Sequence, residues 1–330
     1  MEILNGVHQL KVRSPKGMPV DTNVYVIEGD DGSIMIDSGW DSQDSLWSLT
    51  EALKADRLRL RDIKMIIITH MHPDHYGLAS KVKQLCGGKV VMHRIEAELI
   101  DARYKHFDDL LKKTEDRLKG NGVPETELPD LKDASLWMRQ FVTPDLPDVV
   151  LDSDRVSNGS IGLKVVVTPG HSPGHICLYE PTKKLLFSGD HVLYDVTPHV
   201  GFNPQSGDNP LGDYISSLEK LEALKVNFVL PGHGPMFNSL HLRIEEILRH
   251  HEQRKKDIIK AIAGNLKTAY QIAQEITWMP QQGGIAFNNL APWDKRLAIM
   301  ETIAHLNLLS CEGEVATVDM GGVSLYLAKG

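Results

Sequence analysis

The chain has 330 residues, 42% hydrophobic and 24% charged, an ordinary composition for a soluble globular enzyme and a length that calls for one large domain and one small. A formal net charge of -8 gives no global attraction for nucleic acid or an anionic membrane, and no apolar stretch approaches the length that crosses a bilayer. Cys86, Cys177 and Cys311 are odd in number and widely spaced, which indicates neither a disulfide framework nor a cysteine-based zinc site; with no signal-like N-terminus, the expectation is a reducing, cytoplasmic location.

In chain order, residues 7–12, 23–28 and 33–37 read as strands, the last two joined by a Gly29-Asp30-Asp31-Gly32 turn. Leu46, Leu49 and Leu53 have helical spacing, and so do Leu78, Val82 and Leu85, whose helix ends at Gly87-Gly88. Between them Ile63, Met65, Ile66, Ile67 and Ile68 form a buried strand. Residues 95–119 suggest one or two amphipathic helices, followed by an acidic connection through Pro124, Pro129, Pro144 and Pro147; 95–145 is thus expected as an insertion between core strands. Strand signals return at 161–167, 175–179 and 184–188, and a helix carrying Tyr214, Leu218 and Leu221 precedes a strand over 226–230. Beyond Pro235 the pattern changes to three helices and two short strands joined at Gly321-Gly322, which is a winged-helix pattern.

The chemistry concentrates in Thr69-His70-Met71-His72-Pro73-Asp74-His75, directly after the isoleucine-rich strand. Pro73 stops the strand, so the side chains emerge at its C-terminal end. His70 and His72, two apart, share one face of an extended segment, while Asp74 and His75 lie past the turn and can aim at a second point. One segment can therefore serve two metals. Three further strand ends carry glycine or proline beside a polar residue: Thr168-Pro169-Gly170-His171, Phe187-Ser188-Gly189-Asp190 and Leu230-Pro231-Gly232-His233.

Together with Ile36-Asp37-Ser38-Gly39, these segments make five motifs in order over about residues 7–235 and resemble the metallo-β-lactamase-fold hydrolases. The resemblance implies an αββα sandwich, α/β in class, over 1–240, with a small winged-helix-like domain over 241–330. It implies that His70, His72 and His171 hold one metal, that Asp74, His75 and His233 hold a second, that Asp190 bridges the two, and that Asp37 supports the site from behind. Imidazole and carboxylate ligands without thiolate suit two divalent ions, zinc first, with iron or manganese also accepted. Two cations about 3.5 Å apart can share a hydroxide nucleophile, with Asp74 or Asp190 accepting its proton. His175 and His191 lie beside these ligands as supporting or substrate-side candidates.

True β-lactamases of this fold mostly lack the aspartate seen here as Asp190, so the expected activity is hydrolysis of a thioester or ester-like bond in a small or carrier-bound acyl substrate, as in the glyoxalase II-like and acyl-thioesterase-like branch. Phosphodiester or RNA hydrolysis is the alternative, and iron-dependent redox chemistry a third. Gly170-His171-Ser172-Pro173-Gly174 also fits the nucleophile-elbow pattern of serine hydrolases, with Asp190 and His233 following in the right order. An elbow must lead into a helix, however, and the His-Ile-Cys-Leu-Tyr run that follows reads as a strand. From 241 onward acidic and basic residues balance one for one, which favours a structural or dimer-forming role for this region over nucleic-acid binding. The helices of 95–119 and the loop 199–209 are expected as a lid, with Tyr104, Phe107, Tyr194 and Phe202 as an apolar wall for an acyl chain. Of the other histidines, His8, His93, His106, His241, His250, His251 and His305 read as surface or hydrogen-bonded core residues.

Overall fold

The computed structural model describes residues 1–18, 20–279 and 283–329; Gly330, the end of the expected C-terminal domain, lies outside them. The chain divides into two compact units, one of 1–105, 138–198 and 217–244, the other of 106–137, 199–216 and 245–330.

The first unit contains two sheets. Strands β1 (Glu2–Leu4), β2 (Val7–Val12), β3 (Thr22–Ile27), β4 (Ser33–Ile36), β5 (Ile63–Ile68), β6 (Lys89–His93) and β7 (Val149–Leu151) pair in chain order. The β1–β4 part is an antiparallel meander, and β4 to β7 run parallel. The second sheet has the order β12 (Phe228–Pro231), β11 (Leu185–Gly189), β10 (Ile176–Glu180), β9 (Ile161–Val167), β8 (Arg155–Asn158). Only its β11–β12 pair is parallel.

Side-chain alternation along the strands sorts the core into layers. Ile34, Ile36 and Ile67 meet Leu163, Val165, Leu178, Phe187 and Leu230 between the sheets. Met35, Ile66 and Ile68 point the other way, against helices α1 (Gln43–Ala55), α3 (Ala79–Cys86) and α4 (Arg94–Ile100) through Leu49, Leu53, Val82 and Ile100. The run of apolar residues in β5 thus reflects burial on both faces. On the second sheet's side, helix α7 (Pro210–Glu222) hydrogen-bonds β9 and its following turn through Lys220 and Ser217 and buries Leu218 and Leu221. These are the layers of an αββα sandwich. A one-turn helix α2 (Pro73–Tyr76) starts at Pro73, where the missing N–H costs nothing.

The second unit has its own core. Helices α5 (Phe107–Gly120) and α6 (Leu128–Leu136) supply Leu118, Leu128 and Leu131, which pack with Ile258 and Ile262 of α8 (Leu240–Ile262), Ile272 of α9 (Ala269–Glu275), and Ile299 and Leu306 of α10 (Pro292–Cys311). A small ladder of β13 (Thr277–Trp278) with β14 (Ile285–Ala286) and a hairpin of β15 (Val315–Met320) with β16 (Val323–Ala328) complete it. The expected helices and hairpin of 241–330 are present, but the core they build includes 106–137 and 199–216. The stretch around Pro129, read as a connection, is helical: Pro129 falls in the first turn of α6, where its ring is tolerated. Among the described residues no helix is long and apolar enough to cross a membrane.

Candidate metal centre

Each candidate ligand stands where a strand stops. Thr69-His70-Met71-His72 leaves β5 before Pro73 opens α2, Asp74 and His75 ride on that single turn, His171 follows β9, Asp190 follows β11 and His233 follows β12. Two glycines make the approach feasible. Gly189 has φ +50°, and a Cβ there would lie 2.6 Å from His175 Nε2; a Cβ on Gly232 would lie 2.5 Å from Asp190 Oδ1.

The side chains fall into two clusters, His70 with His72 and His171, and Asp74 with His75, Asp190 and His233. In the first, His72 Nδ1 lies 3.0 Å from His70 Nε2 and 2.9 Å from His171 Nε2. In the second, His75 Nε2 and His233 Nε2 are 3.3 Å apart, and His233 Nε2 is 3.1 Å from Asp74 and 3.5 Å from Asp190. Asp190 also reaches back to the first cluster, 3.8 Å from His171 Nε2.

Burial and mutual repulsion with the neighbouring imidazoles hold His70 and His72 well below the ordinary histidine range, so both are neutral and offer lone pairs. In the second cluster burial opposes charge, but the carboxylates outweigh it. His75 is held well above its usual value and His233 is raised to about 10, while the two imidazoles in turn keep Asp74 and Asp190 below the carboxylate range. The carboxylates of this cluster favour positive charge, which a divalent cation held by the same residues would supply in place of the imidazole protons. Asp190 Oδ1 is buried without a hydrogen-bond donor. A convergent nitrogen and oxygen donor set, neutral rings in one cluster and an orphaned carboxylate oxygen in the other fit two metal ions.

The surroundings fix these rings. Asp37, buried and at φ +60°, accepts from the Thr69 N–H at 2.8 Å and its hydroxyl at 3.0 Å, and lies 2.8 Å from His75 Nδ1. That contact places a proton on His75 Nδ1 and directs Nε2 into the cluster. His233 Nδ1 is likewise 2.9 Å from the Asp21 carbonyl. Tyr25 and Asn23 both donate to the Pro231 carbonyl, at 2.8 and 2.9 Å, and so hold the His233 loop. His175 accepts the Asp190 N–H on Nε2 at 3.2 Å, and its Nδ1 is 2.8 Å from Thr168 Oγ1. His191 is fully buried, its ring centroid 5.7 Å from that of His175.

The remaining candidates stand elsewhere. Tyr194 is half exposed, packs on Phe237 with ring centroids 5.5 Å apart, and lines a surface cavity of about 390 Å³ with Phe228, Met236 and Phe237. Phe202 packs against the core of the second unit under the Arg117 guanidinium, 4.3 Å from its ring centroid. Phe107 is buried in that unit, and Tyr104, buried in the first, donates its hydroxyl to the Met71 carbonyl. The side chains expected to wall an acyl chain are thus largely committed to packing. Ser172, the elbow candidate, donates to Glu96 at 2.8 Å, and β10 follows it rather than a helix. Sequence reasoning missed Glu96 entirely.

An αββα sandwich whose strand ends present two adjoining clusters of imidazole and carboxylate donors is a metallohydrolase framework. The chain belongs to the Metallo-beta-lactamase superfamily, whose sequence profile matches residues 17–233. It is 28% identical over 326 residues to a probable metallo-hydrolase, YqjP, of Bacillus subtilis, covering 96% of both chains. It is 32% identical over 233 residues to the human acyl-coenzyme A thioesterase MBLAC2, covering 67% of this chain and 75% of that one. The crystal structure of the metallo-beta-lactamase family protein TTHA1429 from Thermus thermophilus superposes with a TM-score of 0.81 at 26% identity over 99% of this chain and 100% of that one.

Proposed function

We propose that this protein is a metal-dependent hydrolase acting on a thioester or ester-like acyl bond in a small or carrier-bound substrate. The observation that carries the reading is the meeting of the two clusters at Asp190, whose carboxylate faces imidazoles of both. His70, His72 and His171 would hold one ion, Asp74, His75 and His233 the other, with Asp190 shared. The donor set favours zinc and also accepts iron or manganese. Bound there, the ions would acidify water and polarise the scissile acyl oxygen.

The chain's own residues supply the rest. Asp37 and the Asp21 carbonyl keep His75 and His233 in the tautomer that presents Nε2. Asp74 or Asp190, ionised and so without a proton of its own to donate, would take the proton of attacking water and return it to the leaving thiolate or alkoxide. Similarity to a named acyl-coenzyme A thioesterase supports an acyl substrate.

The test combines metal analysis of purified protein with a panel of acyl thioesters, esters, phosphodiesters and RNA. Metal-dependent thioester turnover without phosphodiesterase activity is expected. Turnover of phosphodiesters or RNA alone would overturn the acyl assignment, and undiminished turnover after verified metal removal would overturn the hydrolase mechanism.

A further inference from the structure

Glu96 is a fully buried carboxylate in the first turn of α4, and it accepts three hydrogen bonds from two neighbouring loops. Its Oε2 accepts the Met71 N–H at 2.7 Å. Its Oε1 accepts the Ser172 hydroxyl at 2.8 Å and the Gly174 N–H at 2.7 Å. Met71 stands between His70 and His72, and Ser172 is next to His171. One side chain therefore ties together the two loops that carry the three-histidine cluster, one leaving the first sheet after β5 and the other leaving the second sheet after β9.

The cost of such an arrangement argues that it has a use. Removing a carboxylate from water is expensive and pushes the Glu96 carboxyl up; hydrogen bonds from two loops, ahead of the field of the Arg103 guanidinium, offset it. Across the two loops it joins, His72 Nδ1 stands 2.9 Å from His171 Nε2, so the three rings converge only while the loops keep their mutual register. The second loop also comes close: a Cβ on Gly174 would lie 2.8 Å from the Glu96 backbone nitrogen, so the glycine lets that loop reach the carboxylate.

We propose that Glu96 is a positioning residue for the three-histidine metal site, fixing His171 against His70 and His72 through the backbones of both loops. This rests on the metal-site reading above. Glu96 touches none of the rings and plays no part in proton transfer; its effect falls on how well one of the two sites is formed.

The test uses the full chain with Glu96→Gln. The amide preserves shape, but whichever way it turns, at least one of the two backbone N–H groups loses its acceptor. In the wild type, titration against a chromophoric chelator is expected to give two tight zinc equivalents, and cobalt substitution two sets of d–d bands. E96Q is expected to keep one equivalent unchanged and to bind the other about 10- to 100-fold more weakly, with altered cobalt bands for that site alone. Ser172→Ala, which removes one of the three bonds, should shift the same site by several-fold, and it carries the test should E96Q fail to fold. Two equivalents of wild-type affinity with unchanged cobalt spectra in the variants would overturn the proposal. A wild type that binds no metal would overturn the metal-site reading itself.

Discussion

Replacing Asp37 with asparagine tests how far the centre depends on groups behind its ligands. At φ +60° the position suits asparagine, which tolerates left-handed backbone, whereas alanine would add strain of its own. The variant's amide oxygen can still accept the Thr69 N–H now 2.8 Å from Asp37. Its NH₂ then faces His75 Nδ1, the atom now 2.8 Å from Oδ2. Two donors cannot share that contact, so the His75 proton must move to Nε2, the atom 3.3 Å from His233 Nε2 and 3.4 Å from Asp190. A ring protonated there cannot ligate. Loss of an outer hydrogen bond to a ligating histidine typically costs 10- to 100-fold in metal affinity, about 1.4 to 2.7 kcal/mol. Competition against a chelator of known affinity should show this loss in the Asp74, His75, Asp190 and His233 site, with the three-histidine site unchanged. Unaltered affinity at both sites in folded Asp37→Asn would refute the tautomer argument.

Asp190→Asn removes a negative charge shared by both clusters, and is expected to lower the metal content by at least part of one equivalent and kcat by two orders of magnitude or more, about 3 kcal/mol; elemental analysis beside steady-state kinetics checks it. A chelator should abolish activity, and a serine-directed acylating reagent should not, since the Ser172 hydroxyl is committed to Glu96; inactivation by the serine reagent would contradict this. In the second unit His305 is fully buried between His251 and the Glu301 carbonyl, and burial pushes it from 6.5 down to about 4. The unfolded chain therefore takes the proton first. The neutral ring's contribution is complete above pH 6.5 and is lost as pH falls towards 4, about 2 kcal/mol of it between pH 7 and 5. His305→Gln should flatten the difference between urea unfolding curves at those two pH values, and equal pH dependence in both proteins would count against it.

The residues of the two candidate clusters were legible because such clusters leave local marks: histidines two apart after a buried strand, a proline that stops the strand, glycines where loops crowd. Strands of five or more alternating or isoleucine-rich residues were legible for the same reason. Three other core strands were not. Val149–Leu151 and Arg155–Asn158 carry too few residues to establish a period, Lys89–His93 has three consecutive apolar residues without alternation, and pairing with neighbouring strands is what makes all three strands. Glu96 illustrates a different limit. Within 95–119 it is one acid among many charged residues, and its partners lie 25 to 78 positions away. The sole local signal is an acidic residue in the first turn of a helix that directly follows a strand, which elsewhere is an ordinary capping preference. Helix Phe107–Gly120 was foreseen as a helix and Leu128–Leu136 was not, its proline having been read as part of a connection, and the apolar stripe of the first does not say which core it enters.

That second core has a consequence for the newly made chain. Leu118, Leu128 and Leu131 leave the ribosome long before Ile299, Leu306 and Leu309, against which they are finally buried. Until α10 emerges, late in synthesis, these leucines have only part of their core, such as Ile258, Ile262 and Ile272, to cover them, and the loop that must close spans about half of the chain. Closure over such a separation is slow, and uncovered apolar helices meanwhile invite chaperones or aggregation. Shortening the chain before Pro292 would remove α10 and leave the earlier helices bare, so a nonsense change late in the gene should be as damaging to solubility as one far upstream.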